Sequence, residues 1–168
     1  MTLPDNTTLT KWAAVAAGAV IVGLFAARHT LREIQIQSNE EQAIADMIEF
    51  GTAQIRFAGY IGGAYGTTAM LSDPNTAPNT EGKTVGHPRF VWPVRNGYRF
   101  VLRPLPMDVN IPTPWPGTFR AYQYIAFPVM TNAPGARSFM YESSTSMIHY
   151  RTDGQEPEAT DPRALPQP

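Results

Sequence analysis

The sequence predicts an α+β fold: one long N-terminal helix, part membrane anchor and part amphipathic scaffold, packed on a small antiparallel sheet. Three observations carry this. From Trp12 to Phe57 there is no proline, and the first part, Trp12 to Ala27, is uncharged and mostly apolar. The second half of the chain holds short stretches of alternating polarity rich in Tyr, Phe, Val and Ile. Sixteen prolines and thirteen glycines fall in clusters between those stretches, as expected of long loops joining few strands.

Taken in order, residues 1–11 are polar and read as a flexible tail. Residues 12–31 read as a single-pass transmembrane helix. The apolar run rises only ~24 Å at ~1.5 Å per residue, short of the ~30 Å hydrocarbon core, so Leu31 and snorkelling by Lys11 and Arg28 must complete the span. A cleaved signal peptide ending near Leu24-Phe-Ala26 is the rival reading. Within the run, Ala13 with Ala17 and Ala14 with Gly18 form small-xxx-small pairs, which let helices approach closely in lipid.

Past Arg28 the helix turns amphipathic. Ile44, Met47, Ile48, Gly51, Ile55 and Ala58 follow the i, i+3, i+4, i+7 rule and form the expected core stripe. Glu40, Glu41, Asp46 and Glu49 read as a solvated face. Gly59 is placed as the helix terminator. The run Gly59-Tyr-Ile-Gly-Gly-Ala-Tyr-Gly66 is not a phosphate loop, because a helix precedes it and no Lys-Ser/Thr follows.

Residues 72–89 read as loop, with Asp73-Pro-Asn and Ala77-Pro-Asn as turn signals. Strands are predicted at 98–103, 122–127, 137–142 and 147–150, with Tyr98, Phe100 and Leu102 facing the core and Arg99 and Arg103 facing away. Residues 105–117 carry four prolines around Trp115 and form a stiff loop rather than a strand. The α+β domain therefore covers 32–153, and 154–168 is a Pro-rich arm, disordered or held by a partner.

The chemistry is spare. Net charge is −1, which offers nucleic acid no basic field. Cysteine is absent, and with it disulfides, thiol nucleophiles and thiolate zinc sites. His29, His87 and His149 are far apart and show no i, i+4 ligand pair. No Gly-x-Ser-x-Gly elbow exists. The chain is therefore expected not to be an enzyme and to carry no cofactor, although scattered aromatics leave room for a lipid or pigment contact. Trp92, Trp115, Tyr122 and Tyr124 are the interface candidates, since aromatics on Pro-stiffened loops lose little entropy on docking. Pro104–Gly117, with Trp115, is the expected docking loop.

Ser38-Asn-Glu40 with Ala43-Ile44, then Gly51-Thr-Ala-Gln-Ile55, Tyr65-Gly66-Thr67, Gly97-Tyr98-Arg-Phe100 and Arg137-Ser-Phe139-Met-Tyr141 through Ile148-His-Tyr150 resemble stretches of type IV pilins and type II secretion pseudopilins. The resemblance covers about 12–153. It implies a long helix with a membrane half and a half lying beneath an antiparallel sheet. The family's processing site has a glycine followed by a Phe-Thr-Leu-Ile-Glu type sequence. Leu9-Thr10-Lys11-Trp12 lacks that glycine, and no acidic residue interrupts 12–27.

The expectation is thus a pilin-like subunit fixed in the bacterial inner membrane that stabilises a secretory, respiratory or photosynthetic complex. Its partners would be other membrane subunits, met through the anchor, the 104–117 loop and the arm, and the bilayer itself. Flanking charge favours a cytoplasmic head; the resemblance implies a periplasmic one and outweighs so weak a bias. The alternatives are a pilin or pseudopilin filament subunit and a secreted ligand-binding module.

Overall fold

The structure is a computed structural model that describes residues 6–73, 75, 85–106, 113–129 and 136–164, with side chains of the long helix described from 23 onward. The fold is α+β. Helix α1 runs over Asn6–Tyr60, 55 residues without a break. A short α2 (Thr68–Ser72) and a 3-10 turn (Pro88–Val91) follow. Five strands complete the chain: β1 (Val94–Arg95), β2 (Tyr98–Pro104), β3 (Tyr122–Pro128), β4 (Ser138–Glu142) and β5 (Met147–Arg151). They form one antiparallel sheet in the order β1-β2-β3-β4-β5, each strand beside its neighbour in sequence.

Two compact units divide at Ser38/Asn39. In the first, the described side chains are exposed from Gly23 to Gln35, among them Leu24, Phe25, Leu31 and Ile34. His29 lies 3.4 Å from Glu33, one turn away. Among the described residues, no helix is long and apolar enough to cross a membrane. That overturns the single-pass anchor at 12–31, and with it the inner-membrane placement and the periplasmic head. The physical reason is visible in the run itself. It is short, diluted by Ala and Gly, and followed at once by Arg28, His29, Arg32 and Glu33. The tail expected over 1–11 is also shortened, since α1 already begins at Asn6. The side chains of Ala13, Ala14, Ala17 and Gly18 lie outside the described residues.

In the second unit, α1 packs on one face of the sheet. Its packed side is centred on Ala43, Met47, Phe50, Gln54 and Phe57, a 3–4 spacing that Ile61 continues just past the helix, with Glu40, Asp46 and Ala53 buried beside it. The expected stripe was centred one residue away, about 100° round the helix. Ile48 and Ile55 therefore lie exposed, while Met47 and Gly51 belong to both faces. The aromatics decide the rotation. Phe50 stacks on Tyr124 at 3.8 Å between centroids and meets Tyr122 and Phe90 edge-on. Gly51 is required for its size, because a Cβ there would stand 2.8 Å from the Tyr141 ring.

The helix ends at Tyr60, one residue after Gly59. Gly63 N–H donates to the Ala58 carbonyl at 2.8 Å, and Gly62 takes φ +75°, so Gly62 terminates the helix. The chain then bridges Tyr65 to Phe119 before entering α2.

The alternation of β2 is as expected: Tyr98 and Phe100 are buried and Arg99 and Arg103 exposed. β3 differs. Tyr122, Tyr124 and Ala126 face the helix, yet Ile125 on the opposite face is also fully buried. The register aligns Val101, Ile125, Met140 and His149 as one row across that outer face.

Residues 155–164, expected to be disordered or partner-bound, are ordered against the same domain. The Ser138 hydroxyl donates to the Gln155 carbonyl. Arg103 forms a two-pronged pair with Glu156, and Pro157 is buried. The chain next reaches the open side of β5. There Tyr150 N–H donates to Pro162 O and Ala164 N–H to Ile148 O, with His149 opposite Arg163. This strap covers an edge that would otherwise present unpaired main-chain groups. Residues 165–168 of the predicted arm lie outside the described residues.

Candidate functional site

The segment from His87 to Gly97 is held against α1 by a buried ionic network. Its course is set locally. His87 Nδ1 accepts from Arg89 N–H at 3.1 Å, Pro88 opens the 3-10 turn, and Trp92 N–H closes it on Arg89 O. Asn96 and Gly97 then take φ +48° and +75°, the backbone of a type I′ hairpin, and set Arg95 opposite Tyr98. A Cβ at Gly97 would stand 2.7 Å from the Asn39 amide nitrogen, so the turn also needs glycine to lie close to α1.

That geometry drives the Arg95 side chain inward. Its Nε donates to Asp46 Oδ2 at 3.0 Å, Nη2 to the Tyr124 hydroxyl at 2.9 Å, and Nη1 to Trp92 O at 2.5 Å and Arg89 O at 3.2 Å. The guanidinium also lies 4.0 Å over the Phe100 ring. Asp46 takes a second cation, Arg89 Nη2, at 2.6 Å, and Arg89 also reaches Glu49. Each oxygen of Asp46 is thereby engaged.

Two further latches use the same device. Glu40 accepts from the Arg137 main-chain N–H at 2.9 Å and from its Nε and Nη2 at 2.9 and 2.6 Å. Gln54 makes a paired amide contact with Gly66, donating at 2.7 Å and accepting at 2.8 Å. Glu40 and Asp46, expected on a solvated face, are buried, because they flank Ala43, Met47 and Phe50 on the packed side of α1. Glu41 stays exposed.

Outward, this rigid base presents Val91 (48 % exposed), Trp92 (61 %), Pro93 and Val94 (53 %) as one continuous apolar knuckle. Trp115 is the second exposed indole, at 42 %. Its carbonyl accepts from the Thr118 hydroxyl at 2.6 Å, and Gly117 turns the chain at φ +78°. Of the expected docking loop, residues 107–112 lie outside the described residues.

The other two interface candidates are core residues. Tyr122 and Tyr124 are each 1 % exposed, packed with Phe50 beneath the sheet, so neither presents a docking surface. Burial raises both phenols above their ordinary range; at Tyr124 the Arg95 guanidinium offsets part of that rise.

The histidines do not converge. His149 is buried, with Nδ1 2.9 Å from the Asp161 carbonyl, and His87 caps the 3-10 turn. Among the described residues, no cluster of three or more His, Cys, Asp or Glu side chains is arranged to hold a metal ion.

Sequence reading finds Trp92 but misses Val91, Val94 and Arg95. The usable signal was Asn96-Gly97, which fixes the hairpin and so the inward side of Arg95. No family model, curated protein or solved structure matches the chain.

Proposed function

We infer that this chain is a non-enzymatic structural subunit that stabilises a larger multi-protein assembly, with the Val91–Val94 knuckle as its docking element. The observation that carries the reading is the pairing of an exposed apolar run with an immobile base. Consecutive exposed apolar residues are costly to keep in water, and large ones held rigid lose little entropy on binding. The Asp46–Arg95–Arg89 network supplies that rigidity.

The test is Trp92→Ala in the full chain, isolated from its native source under mild conditions. The expected outcome is loss of co-purifying subunits with an unchanged thermal melt. Retention of the same partners at the same ratio overturns the reading.

A second reading, a pilin-like filament subunit, is favoured by one observation. An unbroken helix enters a domain whose antiparallel strands lie in sequence order. It requires proteolytic trimming of the N-terminus, which intact-mass spectrometry of the mature protein detects. An untrimmed chain excludes that form of it.

A further inference from the structure

We propose that the C-terminal strap, residues 155–164, exchanges between two copies of this chain, each strap seating on the β5 edge of the other. The proposal stands apart from the knuckle and does not depend on it.

What the β5 edge and the outer sheet face recognise is written in their present occupant. Arg103 takes the Glu156 carboxylate with both ends of its guanidinium, and Arg151 has Glu158 and Asp161 within 4.0 Å and 3.9 Å. Ser138 and His149 meet the strap carbonyls of Gln155 and Asp161. The β5 main chain pairs with Pro162 and Ala164. The complementary ligand is an acidic, proline-bearing segment with a turn between Glu158 and Asp161. A second copy of the strap is such a segment.

The strap is also lightly held. Of its ten residues, Pro157 alone is buried, and two hydrogen bonds join its main chain to β5. Its ion pairs, Arg103 with Glu156 and Arg151 with Glu158 and Asp161, lie at the surface, where water replaces them at little net cost. Ser138 and His149, the outer-face residues that bond to the strap, are far more deeply buried than the strap itself. A strap that leaves therefore uncovers a surface that must be covered again.

The link to the domain favours exchange. Thr152 and Asp153 are exposed, and Gly154 takes φ +72° with nothing within 4 Å of a Cβ built on it. This tight reversal makes the strap fold back on its own sheet. Opening it sends the strap outward with all its contacting groups intact, the condition under which two copies exchange at low cost.

The native chain has no cysteine, which permits a direct test. His149 and Arg163 face each other across the strap, in the pair flanked by the two main-chain bonds. Chains carrying His149→Cys alone and Arg163→Cys alone are mixed, equilibrated and oxidised. The expected result is a disulfide-linked heterodimer on a non-reducing gel, formed in at least tenfold excess over a control pair of Thr145→Cys and Arg163→Cys. Gly154→Val, strained only in the closed reversal, should raise the dimer fraction several-fold by light scattering. The double variant His149→Cys/Arg163→Cys checks the geometry. If it closes within one chain while the mixed single variants give no heterodimer above control, and Gly154→Val stays monomeric, exchange is overturned.

Discussion

Arg95 donates to Asp46 across 3.0 Å with both side chains almost sealed from water, 4 % and 3 % exposed. The pair joins a strand of two residues to a helix 49 positions earlier in the chain. Charges so placed are costly to bury and more costly to leave alone. Asp46→Ala strands the Arg95 guanidinium, while Arg89 retains Glu49 as a partner. The expected loss is about 3–5 kcal/mol, read as a fall in the denaturant midpoint at constant slope. Asp46→Leu with Arg95→Met should recover much of it, because both charges leave together. A double variant as unstable as Asp46→Ala alone rules out this account.

How far the sequence went is clear from the same helix. Its length was legible, because a long Pro-free stretch has few other outcomes. Four of the strands were legible to within a residue or so from their alternation. The packed face of α1 was misread by one position, since Ile44, Ile48 and Ile55 form as regular a stripe as Met47, Phe50 and Phe57. Only the partners choose between them, and stacking of Phe50 on Tyr124 is a long-range contact that no local period contains. The burial of Glu40 and Asp46 was hidden for the same reason: their arginines are 97 and 49 residues away. Tyr122 and Tyr124 looked like docking aromatics, and only the placement of α1 makes them interior.

Gln54 is the uncharged counterpart of these latches. It is fully buried, and both ends of its amide are taken by the main chain of Gly66. Gly66 cannot be replaced to compensate, since a Cβ there would stand 2.8 Å from the Phe57 ring. Gln54→Ala leaves a buried N–H and a buried C=O without partners and opens a cavity. We expect a loss of about 2–4 kcal/mol by chemical denaturation. Loss of less than about 1 kcal/mol would mean that water replaces the amide.

The tyrosine core sets the behaviour in alkali. Burial is the main cause that raises the phenols of Tyr98, Tyr122 and Tyr124. Their unfolded counterparts ionise near pH 10. Below that pH both states keep the proton and the groups leave stability unchanged. Above it the unfolded chain loses protons that the folded chain retains, so stability falls as pH rises. Absorbance at 295 nm should show Tyr98, Tyr122 and Tyr124 ionising only in a cooperative step, together with loss of near-ultraviolet dichroism. Ionisation of these three near pH 10 with the dichroism retained would contradict the packing.

Acid acts on the opposite side of the sheet, at the strap. The Arg103 side chain, hydrogen-bonded to Glu156, holds that carboxyl below its ordinary value of 4.5. A depressed carboxyl stabilises the folded arrangement above its unfolded pKa, and this contribution disappears as pH falls through the folded value. The Arg103–Glu156 contact is therefore complete at neutral pH and is lost only as pH falls below the ordinary carboxyl value of 4.5. Carbon-detected NMR of the side-chain carboxyls should place the Glu156 midpoint below 4.5. Arg103→Gln should return it to the ordinary range and make the Tyr150 and Ala164 amides exchange faster at neutral pH, since both bond across the strap contact with β5. A Glu156 midpoint that Arg103→Gln does not move would show that the pair is not formed in solution, and the strap would then be held by its contacts with β4 and β5.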